Sequence, residues 1–114
     1  MKKLLIAGFS AVALVACGEK EVPNTKDITL FYMPGCSHCH NARTFFSTDK
    51  ALKAVSIEEI DITTPDRKNL ARFDAQLKKC GKDSRGVPLV VVKDQCWQGW
   101  SPDVGGEIKK ALGK

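Results

Sequence analysis

Cys36-Ser37-His38-Cys39-His40 places two thiols two residues apart, with a histidine between them and another directly after. Three chemistries use that spacing: thiol–disulfide exchange, haem attachment and zinc binding. The residues before it run Thr29-Leu30-Phe31-Tyr32-Met33, rich in β-branched and aromatic side chains, and are followed by a Pro34-Gly35 break. That order predicts a strand, a turn and a helix that begins at the first cysteine. A thiol at a helix N-terminus sees the positive end of the backbone dipole and unpaired N–H groups, which favour its thiolate. Cys36 is therefore the expected reactive sulfur. Cys39, one turn on and on the same side, can close a disulfide with Cys36 and so resolve a mixed disulfide formed there.

The competing chemistries use the same letters. Cys36, Cys39 and His40 match the haem-attachment pattern C-x-x-C-H, but the only candidates for a second axial ligand, Met33 and His38, lie too close in sequence to reach the other haem face. Zinc would take Cys36, Cys39, Cys80 and Cys96, or His38 or His40 in place of one. Cys80 and Cys96 lack the close spacing of a zinc knuckle, and a strand–turn–helix suits an exposed redox pair better than a closed metal site. Exchange chemistry without a metal is the preferred expectation, and a non-catalytic zinc or haem module is the alternative.

A chain of 114 residues is long enough for one domain. Lys2 and Lys3 precede an apolar run, Leu4 to Ala16, that is too short for a permanent membrane span and reads as an export signal. Its end, Leu14-Val15-Ala16-Cys17, resembles the lipobox of bacterial lipoproteins. That resemblance implies a lipidated Cys17 at the start of the mature chain, anchored in the cell envelope and facing the periplasm or cell exterior. It also accounts for an odd fifth cysteine. Residues 17–26 are polar and read as a flexible tether, leaving 27–114 as the domain. Removing the signal lowers the formal charge of +5 by two. The remaining Lys and Arg form no run and interleave no aromatics, so nucleic acid is not an expected partner. Protein thiols or disulfides, a membrane reached through the Cys17 lipid and a membrane redox partner are the expected partners of a monomer.

The elements that must hold the cysteines follow in order. Ile28 to Met33 gives a first strand and Ser37 to Thr48 a first helix, with Cys39, Ala42 and Phe46 on its apolar face. In Ala54 to Ile62, Ile60 and Ile62 alternate with Glu59 and Asp61 as in a strand covered on one face, a pattern Ile57 breaks. Thr64-Pro65-Asp66 reads as a capped helix start, Leu70, Phe73 and Leu77 as its buried face, and Gly81 as its C-terminal stop. Gly86 to Val92 is a continuous apolar run, as in a strand covered on both faces. Lys93-Asp94-Gln95 turns into Cys96-Trp97-Gln98, and Ser101-Pro102-Asp103 caps a last helix faced by Val104, Ile108 and Leu112. Gly105 and Gly106 weaken that helix by about 1 kcal/mol each relative to alanine. The order β-α-β-α-β-β-α implies an α/β domain of two or three layers.

Strand, Cys36-Ser37-His38-Cys39, Val87-Pro88 and the closing strand, glycine and helix together resemble a glutaredoxin of the thioredoxin superfamily. The resemblance implies a four-stranded mixed sheet flanked by helices, a cis peptide bond before Pro88, and catalytic roles for Cys36, Cys39 and His38. It also implies a partner-receiving surface formed by Tyr32, Val87 and Pro88. Trp97-Gln98-Gly99-Trp100-Ser101-Pro102-Asp103 resembles the end of the redoxins that serve ribonucleotide reductase. Glutaredoxins usually carry Pro-Tyr between the cysteines, and many that bind glutathione carry Gly-Gly and an acid before the last helix. This chain has Ser37-His38 and Gly99-Trp100-Ser101, which leaves glutathione use open. A histidine just before the second cysteine is similar to disulfide isomerases and periplasmic oxidases, and implies an oxidising pair. Cys80 and Cys96 are expected to form a structural disulfide, with a second redox pair as the sharper alternative.

Overall fold

The computed structural model describes residues 22–114. The signal segment and Cys17 lie outside them, as do residues 18–21 of the tether. Four strands and three helices follow one another as β1 (Ile28–Tyr32), α1 (Ser37–Thr48), β2 (Ile57–Asp61), α2 (Lys68–Lys79), β3 (Leu89–Val92), β4 (Gln95–Gln98) and α3 (Pro102–Ala111). A short 3-10 turn, Lys50–Leu52, joins α1 to β2. The sheet order is β2-β1-β3-β4, with β2 parallel and β3 antiparallel to β1. This is the four-stranded mixed sheet, flanked by helices, that the resemblance implies. Among the described residues no helix is long and apolar enough to cross a membrane.

Alternation along the strands builds two cores, which makes the arrangement three-layered. Ile28 and Leu30 of β1 with Val90 and Val92 of β3 face Ala42, Phe46 and Ile108, on α1 and α3. Phe31, Leu89 and Val91 face Phe73 and Leu77, on α2. Both central strands are thus covered on both sides, and β3 is buried throughout. In β2, Ile60 joins the α2 core while Ile57 packs into the other. The alternation break at Ile57 therefore marks an edge strand with apolar contacts on both faces.

The sequence places the start of α2 too early. Thr64-Pro65-Asp66-Arg67 closes a β-turn, with Arg67 N–H donating to Thr64 O at 3.1 Å, and Arg67 takes a left-handed conformation at φ 62°. Proline suits the second position of such a turn as well as a first helical turn, and here the turn wins. Asp66, not Thr64, then serves the helix start by accepting from Lys68 N–H at 3.1 Å. The end of α2 is as expected: Gly81 at φ 70° reverses the chain, and Lys82 N–H reaches back to Leu77 O at 2.9 Å.

The last helix carries Gly105 for a packing reason. A Cβ there would sit 3.0 Å from the Phe45 ring, so the glycine lets α3 approach α1 closely, whereas Gly106 faces open space. Phe45, Phe46 and Trp100 stack in this seam with ring centroids 5.3 to 5.8 Å apart. The close of the tether is not free: Asn24 accepts from Arg72 at 3.0 Å and donates to Gln76 at 2.9 Å.

Candidate active site

Sheet register decides which distant residues share the end where β1 stops. Phe31 pairs with Leu89, so the chain leaving β1 toward Cys36 passes the segment that enters β3 at Pro88. The parallel partner β2 ends there too, with Ile62 N–H donating to Tyr32 O at 3.0 Å. Gly35, at φ 83°, turns the chain, and Cys36 N–H donates to Met33 O at 3.3 Å. Only glycine enters that conformation without strain.

Cys36 is the N-cap of α1, with extended backbone at φ −87° and ψ 114°. Its Sγ accepts from Cys39 N–H at 3.1 Å, a role a serine or aspartate oxygen usually fills. A thiolate at this atom gains a charge-assisted hydrogen bond and the helix dipole. The first turn of α1 holds no acidic residue to oppose it. Cys36 and Cys39 are joined as a disulfide with Cα atoms 5.2 Å apart. The two sulfurs differ in access: Cys39 is 1 % exposed, whereas Cys36 is half-buried.

The other expected site residues occupy distinct positions. His38 and His40 are exposed on the first turn of α1; His40 N–H donates to Cys36 O at 3.0 Å, and neither imidazole has a hydrogen-bond partner among the described residues. Tyr32 is half-buried beneath Arg43, whose guanidinium carbon stands 4.5 Å from the ring centroid and whose Nη2 pairs with Glu59 at 2.9 Å. The ring is therefore a covered support on the α1 side. Val87–Pro88 is a cis peptide bond, with Pro88 buried and Val87 half-buried. Pro88 O accepts from Gly99 N–H at 2.8 Å, which links the two loops. Asp61, at the same end of the sheet, accepts from the Thr63 hydroxyl at 2.6 Å and its N–H at 2.8 Å, bonds that hold its carboxyl below the usual carboxylate range.

Gln98 is the positioning residue that sequence reasoning missed. From the last position of β4 its Nε2 donates to Ser84 O at 2.8 Å and to Gly86 O at 3.0 Å, gripping the backbone just before Val87. A Cβ on Gly86 would come within 3.2 Å of that amide, so the glycine admits the clamp. This also shortens the third strand, which the apolar run extends back to Gly86 but which begins at Leu89. A lone glutamine at a strand end gives no signal in sequence.

Cys80 and Cys96 form a second disulfide, with Cα atoms 6.0 Å apart, linking the end of α2 to β4. Both pack on the core beneath α2, on the opposite sheet face from α1. The four cysteines are therefore not assembled as the zinc set that their number suggests, and no cluster of three metal-binding side chains occurs among the described residues. The haem pattern meets a similar obstacle, because Cys39 points into the core rather than outward.

A glutaredoxin family model matches residues 28–97, which span the strand, the cysteine pair and Pro88. The fold is similar to the glutaredoxin of Archaeoglobus fulgidus, with a TM-score of 0.56 at 22 % identity over 73 % of this chain and 85 % of that one. It is also similar to the NrdH-redoxin of Escherichia coli, a glutaredoxin-like protein with a thioredoxin-like activity profile. That match has a TM-score of 0.51 at 22 % identity over 70 % of this chain and 91 % of that one. A thioredoxin-like protein gives a TM-score of 0.55 at 21 % identity, covering 78 % of this chain and 97 % of its own. At such identities the structural likenesses speak to the fold. No curated protein matches the sequence.

Proposed function

This chain belongs to the glutaredoxin family, and from that premise we propose an extracytoplasmic thiol–disulfide oxidoreductase that acts on protein thiols and disulfides from a lipid anchor at Cys17. One observation carries the chemistry: Cys36 Sγ caps α1 and accepts the Cys39 N–H, while Cys39 itself is 1 % exposed. The accessible sulfur is also the one whose thiolate is stabilised, so the two cysteines have separate roles.

In the reducing direction the Cys36 thiolate attacks one sulfur of a partner disulfide. A Cys36–partner bond forms, the partner disulfide breaks, and one partner thiolate leaves. The Cys39 thiolate then attacks Cys36 Sγ, closing the Cys36–Cys39 disulfide and expelling the second partner thiolate. Two electrons pass to the partner, two sulfurs of this chain are oxidised, and the departing thiolates take protons from solvent. In the oxidising direction the same steps run backward from the closed pair. The reaction needs no resident cofactor, because every bond made or broken is between sulfurs.

Two features support protein partners and an oxidising potential. Val87–Pro88, held by Gln98 and Gly99, enters β3 at the end of the sheet where β1 leads to Cys36, which gives a partner a fixed backbone segment to meet. His38, exposed one residue before Cys39, can place a hydrogen-bond donor near the pair and so favour the thiolate form, which makes the disulfide a stronger oxidant. Tyr32, half-buried under Arg43, supports the site from beneath and completes the partner-receiving surface with Val87 and Pro88.

Insulin reduction and refolding of a scrambled disulfide protein test the assignment. Cys36→Ser is expected to leave only the uncatalysed rate, and Cys39→Ser to trap a mixed disulfide; equal activity of Cys36→Ser and the wild type ends the enzymatic reading. Equilibration with glutathione buffers is expected to give a potential well above the thioredoxin value of about −270 mV. A value as low as that one assigns the chain to reduction.

A further inference from the structure

The fold sorts charge along the sheet in a way the sequence order hides. β1 runs toward Cys36 while α1 and α3 run back, so the start of β1, the end of α1, the β3–β4 hairpin and the end of α3 meet at the opposite end. Side-chain contacts fix that meeting. Lys109 Nζ reaches Asp49 at 3.0 Å, joining α3 to the end of α1, and Lys93 Nζ donates to Ala111 O at 3.4 Å. Asp27 and Ser56 exchange hydrogen bonds at 2.9 and 3.0 Å across the starts of β1 and β2. These bonds are the main cause that holds the Asp27 carboxyl below its ordinary range; the charges of Lys114 and Lys93 add to it, so both lysines stand near the start of β1.

Around this junction Lys26, Lys50, Lys53, Lys93 and Lys114 are exposed. Of the nearby acids, Asp49 is paired with Lys109 and Glu58 with Arg72, which leaves the carboxylates of Asp27 and Asp94 facing these five lysines. The end bearing Cys36 is mixed, with Arg67 and Lys68 beside Asp61 and Asp66. The chain also enters the domain at the lysine-bearing end. Asn24, tied to Arg72 and Gln76, precedes β1, and Cys17 lies five residues before Val22. A segment of that length reaches at most about 18 Å when fully extended.

We infer that the lysine-bearing end is a membrane-facing surface that seats on anionic lipid headgroups, leaving Cys36 turned away from the bilayer toward soluble partners. The inference rests on the lipid anchorage proposed for Cys17 and gives that anchorage an orientation. Lysine suits the purpose because its compact ammonium on a flexible stem meets phosphate oxygens in a fluid layer without a fixed geometry. A polybasic surface tethered close to anionic lipid is drawn to it over roughly one Debye length, about 8 Å at physiological ionic strength. Nucleic acid is the weaker match to the same charge, since no large aromatic side chain is exposed among the described residues to stack on a base.

The test uses the full chain on vesicles of phosphatidylcholine, alone or with a minority of phosphatidylglycerol, treated with an amine-reactive reagent and read residue by residue by mass spectrometry. Lys50, Lys53, Lys93 and Lys114 are expected to label several-fold more slowly on the anionic vesicles, with the protection lost at about 1 M salt, where the Debye length falls to about 3 Å. Lys68 is expected to react equally on both, as is the Cys36 thiol of the reduced protein toward a thiol-reactive reagent. Equal lysine labelling on the two vesicle types overturns the inference, as does protection of Lys68 in place of the other four. The variant Lys50→Gln/Lys53→Gln/Lys93→Gln is expected to abolish the difference at Lys114. The mass of the N-terminal peptide reports acylation of Cys17, and insulin reduction on the same vesicles reports exchange, so failure of anchorage or chemistry is separable from failure of the seat.

Discussion

Cys36 and Cys39 are three residues apart at the start of one helix, whereas Cys80 and Cys96 are sixteen apart and join the end of another helix to a strand. The two pairs hold the same bond in opposite electrostatic settings. Cys36 is the N-cap of α1, at the positive end of the helix dipole, and receives an N–H donor. Cys80 is the C-cap of α2, at the negative end, where a thiolate is disfavoured. Position along a helix, more than the presence of a disulfide, therefore sets the two pairs apart: a thiolate is favoured at Cys36 and disfavoured at Cys80. Loop length points the same way: closing three residues constrains the unfolded chain little, and closing sixteen constrains it more.

The comparison can be broken most directly by exchanging the roles of the pairs. Cys36→Ser is expected to remove catalysed insulin reduction with little loss of stability, while Cys80→Ser/Cys96→Ser is expected to keep it. In urea, the latter variant should lose about 3 kcal/mol, the chain-entropy value for a loop of this size. Opening of Cys80–Cys96 by mild reductant as readily as Cys36–Cys39, with the fold intact, would make both pairs redox-active and remove the distinction.

A smaller effect sharpens the account of the exchanging pair. Gln98→Ala removes two hydrogen bonds to the backbone before Val87, each with a net value of about 0.5–1.5 kcal/mol. The expected result is a several-fold higher KM for a protein disulfide, with the rate toward a small aromatic disulfide unchanged. A purely structural glutamine would lower thermal stability to the same extent and leave KM unchanged.

The smallest effect concerns the edge of α2, away from both sulfur pairs. Arg72 pairs with Glu58 through two hydrogen bonds at 2.9 Å and holds its carboxyl below the ordinary value of 4.5. A depressed carboxyl contributes stability that is present above its unfolded value and is lost as pH falls through the folded one. A modest drop in stability is therefore expected below about pH 4.5, measured by denaturant midpoints, and Glu58→Gln should flatten that part of the profile. An unchanged acid profile in the variant would show that this pair does not contribute.

Much of the fold was legible because period and punctuation agree locally. Pro34-Gly35, the continuous run Leu89 to Val92 and the Ser101-Pro102 cap each specify an element through nearby backbone and side-chain chemistry. The start of α2 was misread because Thr64-Pro65-Asp66 satisfies both a helix cap and a β-turn, and the choice depends on Arg67 adopting φ 62°. Gly105 reads as a weak point in α3 until Phe45 is seen pressed against it.

By itself, the sequence determined the reactive pair, the order of elements and the place of Pro88, since each depends on residues that are neighbours along the chain or on the family pattern they form. Tertiary structure decided what depends on neighbours across space. It buried Cys39 and left Cys36 within reach, it brought Gln98 to the carbonyls of Ser84 and Gly86, and it joined Cys80 to Cys96. It also gathered lysines that form no run in the sequence at the end of the sheet away from Cys36. The physical reason is antiparallel return: helices that run back along a sheet carry the segments that follow them, with Lys50, Lys53 and Lys114, to the end where β1 starts and the β3–β4 hairpin holds Lys93, whatever the distance between them along the chain.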